Sequence, residues 1–250
     1  MIEIKHGKNV RRSKSWDELT QSELLEVFRV MNAPWYDSTS RLELSKFLDQ
    51  KRETNRFVIQ HIAVYPEMKT IEKWAVFLRL KNGMRLYGPE DGFKNVTMGE
   101  FLFADTYYFA YARDKNPEQL NKFIATLFRP RRKKYRKGNR DVREDFNETL
   151  IPGRSMLIEK LIPEARLAIL FNYGAVRKDM CKKFTHLFPV REKTQPVDNK
   201  PISLPEWHKW MWNLADGNTD EDFDKVARSL CLNILSKIDD LIKDSKNKKR

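Results

Sequence analysis

The sequence predicts a mainly α-helical protein, built as a multi-helix globular domain with room for one small β-hairpin and followed by a C-terminal helical unit. Apolar residues recur at helical spacing along most of the chain, most clearly in one stripe of five: Leu120, Phe123, Ile124, Leu127 and Phe128. Residues 189–205 hold four prolines and show no apolar period, which is typical of a linker. We therefore expect a main α-rich domain at 15–188 and a helical unit with a basic tail at 206–250.

Composition limits the class of protein. The chain has 250 residues, and its two cysteines, Cys181 and Cys231, form no CxxC pattern, which favours a reducing compartment. The N-terminus lacks the apolar core of a signal peptide, and no apolar run reaches the roughly 20 residues of a membrane span. We therefore expect no membrane contact. The net charge of +13 favours contact with polyanions or acidic protein surfaces.

The N-terminal third is predicted to contain a flexible terminus, two helices and a segment that fits two structures. Residues 1–14 are polar and basic, and they predict a flexible N-terminus. A helix follows, capped by Ser15 or Asp17, and a second helix starts within 38–40. Residues 56–64 fit either a strand or a buried helix.

Residues 71–88 also fit two structures. Their apolar spacing favours a helix through about Leu80. The alternative is a hairpin that pairs 76–80 with 84–88 around the Asn82-Gly83 turn. We favour the helix.

Residues 96–130 predict two helices joined by a short turn. Thr97 and Glu100 have capping-box spacing, so the first helix begins there. Asn116 caps the second helix, with Pro117 at its first position. One face of the first helix follows the 3.6-residue period through Phe101, Ala104, Tyr108 and Ala112.

Two further helices are predicted before the linker. A helix opens at Pro163 and ends at Gly174, which has the position of a C-cap. An amphipathic helix then runs from Val176 to Leu187.

The C-terminal unit is predicted to end in one long helix capped by Thr219. Its apolar stripe consists of Phe223, Ala227, Leu230, Ile234, Ile238 and Leu241. About 45 residues are too few to bury that stripe alone, so we expect it to dock on the main domain with Leu230 and Ile234 fully buried. Trp207, Trp210 and Trp212 are candidates for a protein interface, and the spacing favours Trp212 as the exposed one.

The densest charge lies at 131–143, where eight of thirteen residues are Lys or Arg. With almost no apolar residue, this tract is predicted to be an exposed basic loop. It can neutralise phosphates, or it can be a solvated arm or a clamp on an acidic partner, and phosphate binding and this second interpretation are about equally favoured. The candidate contact residues are Arg131, Arg132, Lys133, Lys134, Tyr135, Arg136, Lys137, Arg140 and Arg143.

No catalytic or metal-binding pattern is present in the sequence. The four histidines have no metal-ligand spacing, and no GxSxG, Cys–His, Rossmann or P-loop pattern occurs. We therefore expect a protein that is not an enzyme and that needs no cofactor or metal.

Two passages carry a resemblance to a known group of proteins. One is GPEDGFKNVTMGEFLFADTYYFAYARDKNPEQLNKFIATLFRP, and the other is RLAILFNYGAVRKDMCKKF followed by LPEWHKWMWNLADG. Over roughly residues 84–215 this order resembles proteins from the structural region of tailed phages and prophages of gut-type bacteria, and in particular tail-assembly chaperones. The resemblance implies an α-rich protein that contacts other phage structural or assembly proteins, in the bacterial host cytoplasm or in the virion.

The leading hypothesis is thus a non-enzymatic phage assembly or virion protein that acts through protein–protein contacts. The resemblance does not account for the basic tract at 131–143. The alternative is therefore a nucleic-acid-binding protein that uses this tract without reading sequence.

Overall fold

The computed structural model describes residues 4–6, 9–11, 78–80, 83–134, 141–189, 204–215 and 219–247, together with positions 21, 24, 25 and 28. Within these residues the fold is mainly α-helical, with two small antiparallel hairpins, and the predicted fold class is confirmed.

The N-terminal hairpin joins β1 (Ile4–His6) to β2 (Asn9–Arg11), inside the segment that was predicted to be flexible. Gln21, Leu24, Leu25 and Phe28 are helical, and Leu24 and Phe28 are buried, as expected of the first predicted helix. The predicted helix that starts within 38–40 and the segment 56–64 lie outside the described residues.

A second hairpin pairs β3 (Leu78–Arg79) with β4 (Arg85–Leu86), so the predicted helix is wrong at 78–80 and the alternative hairpin is confirmed there. The rest of the predicted helix, 71–77, and Asn82 of the predicted turn lie outside the described residues. Gly83 has a φ of +83°, a conformation that is open to glycine and strained for other residues. The Gly83 amide donates to the Leu80 carbonyl, and the Leu80 amide donates to the Met84 carbonyl, which closes the turn. The turn at Gly83 therefore decides the structure here, although the apolar spacing fits a helix.

Helices α1 (Met98–Asp114) and α2 (Pro117–Leu127) begin at the predicted caps. The Glu100 amide donates to Thr97 Oγ1 at 3.3 Å, and the Thr97 amide donates to Glu100 Oε2 at 3.5 Å. The predicted stripe of α2 is entirely buried. On α1 the predicted face is correct at Phe101 and Ala104 but wrong at Ala112, because the last turn of α1 extends into solvent.

Helices α3 (Ile151–Ile158) and α4 (Pro163–Lys183) precede the linker, most of which (190–203) lies outside the described residues. Helix α4 runs straight through Gly174, so the predicted C-cap and the predicted new helix from Val176 are wrong. A Cβ built on Gly174 would lie 3.1 Å from Tyr108 Oη. The glycine thus permits a close approach of α1 to α4 instead of ending a helix.

Three helices form the C-terminal unit: α5 (Leu204–Leu214), α6 (Asp220–Arg228) and α7 (Cys231–Asn247). The predicted single last helix is broken at Ser229, which is extended. The Met98 amide donates to the Ser229 carbonyl and the Cys231 amide donates to the Val96 carbonyl, both at 2.8 Å. This β-bridge to the start of α1 replaces the helical hydrogen bonds at the break.

Docking of the C-terminal unit on the main domain follows the prediction with two corrections. Ile234 is buried, but Leu230 is only half-buried because it lies in the break. Leu241 is half-exposed, and the buried face of α7 instead includes Cys231, Leu235 and Ile238.

Helix α1 is the centre of the fold. It packs against α2, α5, α6 and α7, and α2 packs in turn against α3 and α4. The side chains with least exposure include Phe101 of α1, Phe123 and Ile124 of α2, and Tyr173 of α4. The start of α1 is consequently surrounded by protein, and Glu100 is buried there.

Candidate functional site

The basic loop is mounted on a two-stranded stem, formed by residues 130–132 and 142–144. Arg131 and Arg143 form an antiparallel bridge. The Arg132 amide donates to the Val142 carbonyl and the Glu144 amide donates to the Pro130 carbonyl, each at 2.9 Å. The two ends of the tract are thereby held side by side.

Beneath the stem lies a buried ion-pair cluster formed by Glu100, Arg129, Asp141 and Arg143. Arg129 Nη1 is 3.0 Å from Glu100 Oε1, and Arg129 Nη2 donates to Glu100 Oε2 at 3.2 Å. Arg143 Nη1 donates to the same Glu100 carboxylate. Glu100, Arg129 and Arg143 are all buried, so the loop is tied to α1 from inside the protein.

Asp141 completes the cluster from within the tract itself. Its carboxylate accepts from Arg143 Nε at 3.0 Å and from Arg143 Nη2 at 2.9 Å. Two guanidiniums and two carboxylates balance in charge. Backbone carbonyls take further guanidinium donors, including Asn95 from Arg143 at 3.0 Å and Glu144 from Arg129 at 2.8 Å. A buried ion cluster is tolerated when its charges and donors are satisfied in this way.

The two guanidiniums respond differently to burial. Burial lowers the pKa of Arg129, and the charge of Glu100 opposes this only in part because Arg143 lies beside it. Burial also acts to lower the pKa of Arg143, but Glu100 and Asp141 outweigh it and hold that pKa above its ordinary value. The difference follows from distance, since Arg129 is 3.7 Å from Asp141 whereas Arg143 is 2.9 Å from it.

The predicted contact residues of the tract divide into four groups. Arg131, Lys133 and Lys134 are exposed, whereas Arg132 is half-buried and pairs with Asp145 at 2.6 Å. Arg143 was predicted to be exposed, and this is corrected by the structure: its guanidinium is buried against Glu100 and serves the fold. The remaining predicted residues lie outside the described part of the chain: Tyr135, Arg136, Lys137 and Arg140.

The three tryptophans are shared between core and surface. Trp207 is buried, with its ring 5.8 Å from Phe101 in a T-shaped contact, so it is not available to a partner. Trp210 packs on Trp207 at 5.2 Å and is half-buried. Trp212, predicted to be the exposed one, is also half-buried and lies on Phe223 at 5.0 Å.

A second polar cluster joins α1 to α4. Tyr173 Oη donates to Asp105 Oδ1 at 3.0 Å, and Arg177 Nε donates to the same atom at 2.6 Å. Burial raises the pKa of Tyr173 well above its usual value, and the charge of Asp105 adds to this. Arg177 also lies 4.5 Å over the ring of Phe109. These contacts hold two helices together, and every polar group in them has a partner.

An exposed apolar segment precedes α4. Large apolar side chains with more than a third of their surface exposed are few among the described residues, and three of them fall between 150 and 162. These are Leu150 (46%), Met156 (63%) and Ile162 (54%). We call them the apolar segment. The three side chains are close together in sequence, and their exposed apolar surface is a candidate contact for a partner protein.

The described residues contain no group of three or more His, Cys, Asp and Glu side chains that could hold a metal ion. No helix in the described part of the chain is long and apolar enough to cross a membrane.

Sequence reasoning missed the ion-pair cluster. Glu100 was identified only as a capping residue, and Asp141 was not among the candidate residues of the basic tract. The one available signal was a carboxylate at the start of a helix that is apolar on nearly all sides, since such a charge needs a buried partner.

Comparisons of the chain with protein-family models, with curated proteins and with solved structures found no match.

Proposed function

We propose that the chain is a non-enzymatic assembly or virion protein of a tailed phage or prophage, similar to tail-assembly chaperones, that acts by binding other proteins. The resemblance over roughly residues 84–215 supports this proposal. That region includes α1, α2 and α4, which build the core, so the shared residues describe a scaffold. The partner is then another phage structural or assembly protein, met in the host cytoplasm or in the virion.

The observation that carries the proposal is the apolar segment. Met156 and Ile162 expose apolar surface at the ends of two successive helices, α3 and α4. When a partner covers such side chains, their apolar surface is removed from water, which favours binding. The segment therefore offers a docking point for a partner protein.

Co-expression with the products of neighbouring genes tests this function. We expect a tail or tape-measure protein to co-purify with the chain, and the double variant Met156→Lys/Ile162→Lys to lose it, because two charges would be buried at the interface. The matched control is Met84→Lys/Leu241→Lys, which adds the same charge at exposed apolar positions elsewhere. Equal retention of the partner by both variants, or neighbouring genes that encode only metabolic enzymes, would contradict the proposal.

A further inference from the structure

The basic tract combines exposed lysines with a stem that buried ion pairs hold in place. Lys133 and Lys134 are exposed at the end of the described stem, and among the described residues no carboxylate pairs with either. We propose that Lys133 and Lys134, at the end of this stem, bind the phosphate backbone of nucleic acid without reading base sequence, and that the buried ion-pair cluster holds the stem in position. This activity goes beyond the protein–protein function proposed above.

The cations of the stem are divided between two tasks. Arg129 and Arg143 are used inside the protein on Glu100 and Asp141, where a planar fork suits bidentate pairing. The two lysines remain outside. A lysine ammonium is a compact, hydrated charge that contacts phosphates as a point charge. The structure thus uses Arg129 and Arg143 for the support and leaves Lys133 and Lys134 for the contact.

Nucleic acid fits this surface better than an acidic protein does. Protein interfaces have an apolar centre and are depleted of lysine. The described stem and loop residues offer two apolar side chains, the half-buried Pro130 and Val142, among their charges. Interfaces with nucleic acid are more polar and far more positively charged. The net charge of +13 adds a long-range attraction to the same kind of partner.

The first experiment measures binding of the full chain to two short labelled DNA duplexes of unrelated sequence over a range of salt concentrations. We expect equal affinity for both duplexes and a fall in affinity with salt. In Lys133→Gln/Lys134→Gln the log–log salt slope should flatten by about 1.8, since each phosphate contact contributes about 0.9. The control Lys160→Gln/Lys178→Gln removes two exposed lysines elsewhere and should leave the slope unchanged.

Several outcomes would overturn the binding claim. Absence of binding at low salt would do so, because phosphate contacts strengthen as salt falls. The same slope change in both double variants would show that only net charge matters. Binding to poly-glutamate that depends on Lys133 and Lys134, with none to DNA, would assign the loop to an acidic protein.

The second experiment tests whether the buried ion-pair cluster positions the loop, by asking whether Asp141→Asn raises or lowers the affinity for DNA. If the loop acts only through its charge, Asp141→Asn should strengthen DNA binding because it removes a negative charge from the tract. If the cluster positions the loop, the same variant should weaken binding, since Arg143 loses the partner that holds the stem. We expect a loss of affinity.

Asp145→Asn is the matched control for this second experiment. It makes the same charge change four residues away, at an exposed carboxylate that pairs only at the surface with Arg132. We expect unchanged or higher affinity. Stronger binding by Asp141→Asn would overturn the positioning role. Should that variant fail to fold, the surface lysine pair still decides the binding claim.

Discussion

At the scale of single residues, Glu100 connects three parts of the chain. Its carboxylate caps α1, pairs with Arg129 just after α2, and pairs with Arg143 at the end of the basic loop. Removing a carboxylate from water costs several kcal/mol, and this cost is offset only where charged partners and hydrogen bonds are complete. The partners are complete here, so the cluster is costly to break.

Glu100→Gln should lower the free energy of unfolding by roughly 3–5 kcal/mol, because it leaves two buried guanidiniums with one carboxylate between them. Glutamine is also accepted in a capping box, so the loss would report the ion pairs and not the cap. Denaturant unfolding measures the effect. The control Asp145→Asn removes a surface pair and should cost at most about 1 kcal/mol. Equal small losses in both variants would contradict the role of the cluster.

At the scale of elements, local signals predicted where helices begin better than where they end. The Thr97 cap and the Asn116-Pro117 start are both correct, because capping bonds involve neighbours in sequence. The break at Ser229 could not be predicted, since it is made by hydrogen bonds to Val96 and Met98. A sequence-based reading has no access to such distant partners.

The same limit applies to the candidate site. The exposure of the basic loop could be predicted from its charge, and Lys133 and Lys134 are exposed as predicted. Its buried support was not, because Glu100 is 29 residues from Arg129 and 43 from Arg143. A run of like charges indicates solvent exposure on average. Arg143 is buried instead, because it pairs with the distant Glu100 carboxylate.

Gly174 provides an element-scale prediction. Alanine is favoured over glycine inside a helix by about 1 kcal/mol, but here its Cβ would lie 3.1 Å from Tyr108 Oη. We expect Gly174→Ala to stabilise the protein in a Tyr108→Phe background and to give a smaller gain, or a loss, with Tyr108 present. Unfolding free energies of the two single variants and the double variant measure this coupling. The same effect of Gly174→Ala in both backgrounds would show that the hydroxyl is not the constraint.

At the scale of the whole molecule, the C-terminal unit acts as part of the main core. Trp207 covers Phe101, and the β-bridge at Leu230 fixes the break between α6 and α7 against the start of α1. Asp239 of α7 accepts the backbone amides of His186 and Leu187 at 2.8 and 2.7 Å. The unit thus contacts both the start of α1 and the segment that follows α4, although the predicted linker at 189–205 suggests separation.

A chain that ends at Pro189 should therefore melt at a lower temperature than the intact chain. The deletion exposes Phe101, which is fully buried in the intact protein, and removes the carboxylate that holds the amides of His186 and Leu187. Trp207→Ala gives a lower bound on the stability that the truncation removes, since deleting a buried tryptophan side chain costs roughly 3–5 kcal/mol. At about 2–4 °C per kcal/mol for a protein of this size, that variant alone should lower the melting temperature by roughly 6–20 °C.

The control for this deletion is a chain that ends at Asn247, which keeps α7 whole and should melt like the intact protein. The truncation at Pro189 should lower the melting temperature at least as far as Trp207→Ala does, because it removes the same tryptophan together with α6 and α7. An unchanged melting temperature would show that the C-terminal unit folds independently of α1. The hydrogen bonds at Ser229 and Asp239 would then contribute nothing to the stability of the main domain.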